Sequence, residues 1–175
     1  PMPDDFYKYA PVLIQHVEDR DLWRFKFSDT RAVAAKMFSH EYTFENWDGM
    51  NRQFTNHPRA HDKLKDVFLA EGEAIERKHF KDIKELLAVV QSEGIIGGYR
   101  VPIANLPYTL SSDAGHQMAV GEKFAACYWI THEGITFSLR SSEVEDSMDV
   151  SDIAKKYGGG GHKHAAGFSI TWNQY

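Results

Sequence analysis

The sequence predicts a mixed α/β protein (α+β), with an N-terminal helical segment and a long linking helix followed by a small mixed β-sheet domain with packed helices. Three observations carry this expectation. Apolar residues recur at helical spacing through the first half of the chain. From Gly94 onward the pattern changes to short β-rich runs punctuated by turn residues. With 175 residues, of which 42% are hydrophobic and 26% charged, the chain is an ordinary globular length able to bury a core.

Asp5 to His16 reads as a short amphipathic helix carrying Phe6, Tyr9, Val12 and Leu13, with Pro11 as an early kink. The charged run Glu18-Asp19-Arg20-Asp21 follows, bracketed by the core-type residues Val17, Leu22 and Trp23. A carboxylate held beside a core is expected to be either paired with arginine or bound to metal. Thr30 to Met37 reads as a helix capped near Ser28 or Asp29, and Phe44 to Met50 as a short aromatic-rich one. His57 to Gln91 is a long helical pattern with Leu64, Val67, Phe68, Ile75, Ile83, Leu86, Leu87 and Val90 on roughly one side. The stripe thins at Glu71-Gly72-Glu73, so the helix is expected to be partly solvated in its middle and to link two parts. The expected organisation is 1–56, helical; 57–91, linking helix; 92–175, sheet domain.

In the last part, Tyr99 to Ala104 is a strand ended by Asn105-Leu106-Pro107, and Ser112 to Gly121 a helix capped by Ser112. Phe124 to Thr131 and Gly134 to Arg140 are strands joined by the turn His132-Glu133-Gly134. Asp149 to Tyr157 is a helix with Asp149 at its N-cap, and Phe168 to Thr171 a final strand. The order β, α, β, β, α, β describes a mixed sheet with helices on it.

Between the last helix and strand lie four consecutive glycines, Gly158 to Gly161, then His162 and Lys163. Such a stretch lets backbone amides approach an anion closely beside two donating side chains. The structural alternative is a helix C-cap leading into a loop. The formal charge of −5 argues against a broad grip on duplex phosphate but leaves room for a local basic pocket. The single Cys127 offers neither a disulfide framework nor a cysteine zinc site, so a reducing, cytoplasmic setting is expected. No apolar run reaches the ~20 residues that span a bilayer, so no membrane partner is expected.

Asn105 after a strand, Ser138-Leu139-Arg140-Ser141 at a strand end, and Gly159-Gly160-Gly161-His162 with Ala165-Ala166-Gly167-Phe168 resemble the DHH-associated C-terminal domain of the DHH phosphoesterase superfamily. Glu18-Asp19-Arg20-Asp21-Leu22-Trp23 resembles the stretch closing the catalytic domain in one branch of that superfamily, so 1–56 resembles a remnant of it. The resemblance implies a substrate-binding domain that grips a nucleotide or short single-stranded oligonucleotide by its phosphate and base. Arg140, His162 and Ser141 would contact the phosphate, Gly159, Gly160 and Gly161 would give the close backbone approach, and Asn105 would support the site. Asp19 would match a metal-ligating aspartate, and a complete enzyme of the family would use manganese.

The departures are equally informative. No Asp-x-Asp pair precedes Asp19 and no Asp-His-His triplet occurs in these 175 residues. A two-metal centre needs bridging carboxylates and histidines holding ions ~3.5–4 Å apart. This chain alone is therefore expected to bind no cofactor and to be catalytically incomplete: a phosphate-binding domain of a DHH-type phosphodiesterase. The alternatives are a subunit or fragment of a manganese-dependent phosphodiesterase or exonuclease acting on short oligonucleotides, and an interaction protein that binds a full DHH protein, a catalytic-domain partner or itself. Pro1 before Met2 resembles a residue left by tag cleavage, which makes either a truncated enzyme or a standalone domain an expected origin.

Overall fold

The computed structural model describes residues 10–55, 61–142, 144 and 147–174. The chain forms two compact units, Pro1–Phe80 and Lys81–Tyr175.

The first unit holds α1 (Val12–Asp21), α2 (Thr30–Phe38), α3 (Phe44–Thr55) and most of α4 (His61–Val90). Its core joins Leu13, Val33, Met37, Met50 and Phe68, all at most 5% exposed. Pro11 stands at the N-cap of α1, with φ −50° and ψ 139°, and its carbonyl accepts from the amides of Ile14 and Gln15. A proline with preset φ and no amide suits a helix start. The helix then runs past His16 through the charged segment to Asp21, while residues 5–9 lie outside the described residues. Likewise α3 continues beyond Met50 to Thr55, and of the expected helix from His57, residues 57–60 lie outside the described residues.

Asp19 is buried at 4% exposure and acts as a clasp for the α1–α2 connection. One carboxylate oxygen accepts from the Lys26 amide at 2.9 Å; the other accepts from the Phe27 amide at 3.2 Å and the Thr30 hydroxyl at 2.6 Å. Because Thr30 donates to Asp19, its Oγ1 accepts from His16 Nδ1 at 3.0 Å, which fixes that histidine's tautomer. The clasped loop holds Trp23 (φ 55°) and Phe25 (φ 47°) in the left-handed region, where bulky residues are strained. The Arg31 guanidinium lies 3.9 Å from the Phe25 ring centroid and 5.5 Å from that of Trp23, fastening both.

The middle of α4 is partly solvated, with Glu71 and Glu73 exposed, but Gly72 between them is covered. That residue is buried, and a Cβ on it would collide with the Ala32 carbonyl oxygen of α2. The apolar stripe thins there because α2 approaches the helix backbone too closely for a side chain.

The second unit is a six-stranded mixed sheet of order β1-β2-β3-β4-β6-β5. Its strands are β1 (Gln91–Ile96), β2 (Tyr99–Asn105), β3 (Ala125–Ile130), β4 (Gly134–Arg140), β5 (Gly160–His162) and β6 (Ala165–Thr171). Only β2 and β3 pair in parallel, and they are joined through a 3₁₀ turn (Tyr108–Leu110) and α5 (Ser111–Met118). The remaining pairs are antiparallel. Two strands were not expected, β1 and β5, and β6 begins at Ala165 rather than Phe168. β1 and β2 meet through Gly97 (φ 60°) and Gly98 (φ 89°), the paired positive φ angles of a primed hairpin turn.

One sheet face carries the core. Phe124, Leu139, Ala166 and Phe168 pack there with Val150, Ile153 and Ala154 of α6 (Val150–Lys155), whose Asp149 cap accepts from the Ser151 amide at 2.9 Å. Tyr128, Phe137, Phe168 and Tyr157 stack in sequence, with centroids 5.6, 4.7 and 4.4 Å apart. The opposite face receives α5, where Gly115 lets the helix lie against the stem of Arg140.

Two outcomes test this account. Gly72→Ala should destabilise the protein by about 1–3 kcal/mol through overpacking, read as a lowered midpoint in urea unfolding; an unchanged midpoint contradicts the close helix approach. Stability should also fall in acid in two windows. Burial holds the His16 imidazole below its ordinary 6.5, so the unfolded chain takes up that proton first and stability drops as pH falls from 6.5 to the folded value. Burial pushes the Asp19 carboxyl up, but its bonds from Thr30, Lys26 and Phe27 outweigh this and hold it below 3.8, so a second loss begins as pH falls through that range. Melting by circular dichroism at pH 7, 5 and 3 should show both, and His16→Gln should flatten the upper window; a wild-type melting temperature independent of pH from 7 to 5 contradicts the buried neutral imidazole.

A candidate anion-binding cleft

The register places three cross-strand rows on the α5 side of the sheet. They are Ala125–Arg140–Ala165–His162, then Ala104–Cys127–Ser138–Gly167–Gly160, then Trp129–Thr136–Ser169. Ala165 of the first row and Gly167 and Gly160 of the second are small, so apart from His162 the last two strands form a floor without bulk. An open cleft of about 630 Å³ lies over this floor, lined by Arg140, Ser138, Gly158, Gly159, Gly160, Gly167 and the third row among others.

Arg140 is the charged group of the cleft. Its Nη1 donates to Ser138 Oγ at 3.0 Å and to the Leu139 carbonyl at 2.9 Å, and its Nη2 donates to Ser112 Oγ at 2.7 Å. These acceptors are neutral, so they fix the fork without offsetting its charge. Burial is the largest influence on this group and lowers its pKa, against the opposing field of the Asp113 carboxylate. Burial also pushes the neighbouring Cys127 thiol up to about 12, so Cys127 is a neutral packing residue rather than a nucleophile. A half-buried guanidinium fixed by neutral oxygens at the edge of an open cleft is suited to an anion.

The glycine run divides its tasks. Gly158 (φ 76°) donates to the Lys155 carbonyl and Gly159 donates to the Ala154 carbonyl, the two bonds of a Schellman cap on α6. A Cβ on Gly159 would strike Gly167 and Phe168; one on Gly161 (φ 147°) would meet Ala165 and Ala166. A Cβ on Gly158 or Gly160 would meet nothing within 4 Å, but Gly158 needs its positive φ, so Gly160 is the glycine of the run that neither conformation nor packing demands, and it lines the cleft. The capping reading therefore holds at Gly158 and Gly159, while Gly160 leaves backbone open to the cleft.

The remaining residues singled out in the sequence fall as follows. Gly159, Gly160 and Arg140 share the cleft lining. His162 is exposed and stands in Arg140's row, separated from it by Ala165. Ser141 is fully buried, and its hydroxyl is 3.1 Å from His164 Nδ1, so it braces the strand end behind the cleft. Asn105 ends β2 in the row of Tyr128, Phe137 and Phe168, the register alternate to that of Arg140. Asp19 belongs to the other unit as the loop clasp. Among the described residues no three His, Cys, Asp or Glu side chains group to hold a metal ion, and Asp19's oxygens already accept three donors. These residues do not by themselves fit a two-metal centre.

Sequence reasoning missed two parts of the site. Ser112 does not cap α5, whose N-cap is Leu110 without a side-chain bond; its hydroxyl receives Arg140 instead. Gly115, one helical turn on, leaves the space in which the arginine stem lies. The available signal was the Ser112-x-x-Gly115 spacing, which puts hydroxyl and gap on one helix face.

Residues 113–175 match the family model of the DHHA1 domain. An uncharacterized protein of Acanthamoeba polyphaga mimivirus is 27% identical over 172 residues, covering 94% of this chain and 38% of that protein. Among solved structures, the pGpG-specific phosphodiesterase PggH from Vibrio cholerae aligns with a TM-score of 0.55 at 16% identity, over 95% of this chain and 64% of that one. The DHH domain of a member of the s1p family of ribosomal proteins aligns with a TM-score of 0.58 at 12% identity, over 93% and 43%. At these identities the structural likeness is one of fold, and the chain spans less than two thirds of each of these relatives. No described helix is long and apolar enough to cross a membrane. The segment that carries the half-buried arginine and the glycine edge strand is thus the one that matches the DHHA1 domain.

Proposed function

We propose that the second unit binds a nucleotide or short single-stranded oligonucleotide by its phosphate, and that this chain's own residues grip that ligand without completing a hydrolytic centre. The observation that carries the reading is Arg140, fixed by Ser112 and Ser138 at the edge of an open cleft whose floor is glycine and alanine. A planar fork beside bare backbone is a phosphate-recognition arrangement. In this reading Arg140 supplies the bidentate contact, His162 a second donor across Ala165, and Gly160 the room for a phosphate oxygen to reach the edge strand. Gly159 and Gly161 shape that strand, Ser141 holds Arg140's strand end through His164, and Asn105 supports the adjoining loop. The name of the Vibrio relative, a phosphodiesterase specific for pGpG, agrees with a nucleotide ligand.

The same reading divides the chain into 1–56, related to the end of a DHH catalytic domain, 57–91 as the linking helix, and 92–175 as the substrate-binding domain. Hydrolysis would require carboxylates and histidines beyond those grouped here, supplied by a catalytic-domain partner, and manganese would belong to that assembly. Aspartate pairs and the Asp-His-His triplet are what such a centre would add.

Calorimetric titration with mononucleotides and dinucleotides should show binding. Arg140→Ala should weaken it about ten- to a hundredfold, the equivalent of one charge-assisted contact of about 1.5–3 kcal/mol. His162→Ala should weaken it less, because that side chain is exposed. Unchanged affinity in both variants would remove the cleft as the phosphate site. Gly160→Leu should leave the thermal midpoint within a degree or two, since its Cβ meets nothing, yet abolish binding by filling the cleft; retained affinity contradicts the close approach. Manganese-dependent cleavage of a short oligonucleotide by the purified chain would overturn the claim that it is catalytically incomplete.

A further inference from the structure

We infer that the outer edge of β1 is an interaction surface for a second copy of this chain, the two β1 strands pairing antiparallel about a two-fold axis through Glu93. β1 ends the sheet order, and its hairpin to β2 turns through only Gly97 and Gly98. The residues flanking a two-residue turn, here Ile96 and Tyr99, exchange both backbone bonds, and the exchange then alternates along the ladder. Gly94–Val101 and Ser92–Ile103 are therefore bonded pairs, while the amides and carbonyls of Gln91, Glu93 and Ile95 point away from β2. Pro102 agrees with this phase: it stands opposite Glu93, at a pair that exchanges no bonds, so its missing amide takes nothing from β1. Among the described residues nothing pairs with the outward groups, and Gln91, Glu93 and Ile95 are all exposed, Ile95 at 71%.

Alternating outward residues make this edge its own complement. With Glu93 on the axis, Gln91 faces Ile95 of the second copy and Glu93 faces its counterpart, and each facing pair exchanges two backbone bonds, about six in all. β1 is 6 residues long and carries no proline, lysine or bulge, the features by which edge strands usually avoid such pairing. Its one charge is matched from within the chain, since Arg100 Nη1 donates to the Glu93 carboxylate at 2.8 Å. Facing copies therefore bring together two neutral Arg100–Glu93 pairs, and each exposed Ile95 gains the stem of a Gln91. The other edge of the sheet, β5, has 3 residues, too few to pair along the length of β1. A two-fold contact also closes on itself and stops at a dimer. Contacts confined to a strand edge bury little surface, so the dimer is weak and depends on concentration.

Sedimentation velocity on the whole chain, from about 1 μM to about 1 mM, should show a monomer giving way to a dimer. Ile95→Pro removes an outward amide and leaves the β1–β2 ladder intact, so it should weaken the dimer about five- to a hundredfold at an unchanged melting temperature. Arg100→Ala leaves two carboxylates face to face and should also weaken the dimer. Adding Glu93→Gln to Arg100→Ala should restore most of the affinity, a rescue that a general effect of Arg100 on folding does not give. A chain that stays monomeric throughout the range, a dimer indifferent to Ile95→Pro, or growth past the dimer into open chains overturns the proposal. A loss in Arg100→Ala that Glu93→Gln fails to restore overturns the axis at Glu93.

Discussion

The second unit depends on a guanidinium fixed by neutral oxygens. Bringing a charge partly out of water costs free energy unless something compensates it, and hydroxyls and a carbonyl compensate only in part. The surrounding sequence makes the arrangement tolerable. Ser112 and Ser138 provide two of the acceptors, Gly115 clears the path of the stem, and Ala165 and Gly167 keep the next strand low beside it. Replacing Ser112 or Ser138 with aspartate would hold the arginine more firmly and would also cancel the charge the cleft presents. The choice of serine over a carboxylate is therefore what separates an anion site from an internal salt bridge.

The four glycines show how one run serves several constraints. Gly158 ends a short helix that has few bonds of its own, Gly159 and Gly161 permit contacts no side chain would survive, and only Gly160 is free of such demands. A glycine that neither conformation nor packing requires weakens a strand, since it raises the entropy lost on folding. Its presence at an edge facing open space is thus informative in a way that its neighbours are not.

Much of this was legible in the residues. The strand ending at Arg140, the Asp149 cap and the hairpin at His132-Glu133-Gly134 all follow from local patterns, because alternation and capping act over a few residues. What escaped depended on partners distant in sequence. Gly97-Gly98 is a hairpin signal, but β1 was obscured because the helical stripe runs to Val90 and the strand starts at the next residue. β5 consists of two glycines and a histidine, with no β propensity at all, and exists because β6 offers a free edge. Ser112 looked like a cap because serines before a helix usually are, and only the spatial nearness of Arg140, 28 positions later, assigns its hydroxyl. Gly72 looked like a solvated gap in a stripe because a sequence cannot distinguish a missing side chain that faces water from one that faces another helix.

Asp19 illustrates the same limit for chemistry. A carboxylate in a charged run beside core residues implies a partner, and the sequence suggests arginine or metal where the fold supplies two backbone amides and a hydroxyl. In the folded unit three donors converge on it, and they do mechanical service. The left-handed conformations of Trp23 and Phe25 cost of order 1–3 kcal/mol each, and nothing in those residues' own preferences supports them. The bonds from Lys26, Phe27 and Thr30, together with the Arg31 guanidinium over both rings, offset that strain. A metal ion on Asp19 would have to share oxygens that already hold the loop in its strained path. Any ligation there must therefore be coupled to the conformation of residues 22–29, which turns a question about a cofactor into one about whether this connection keeps its shape.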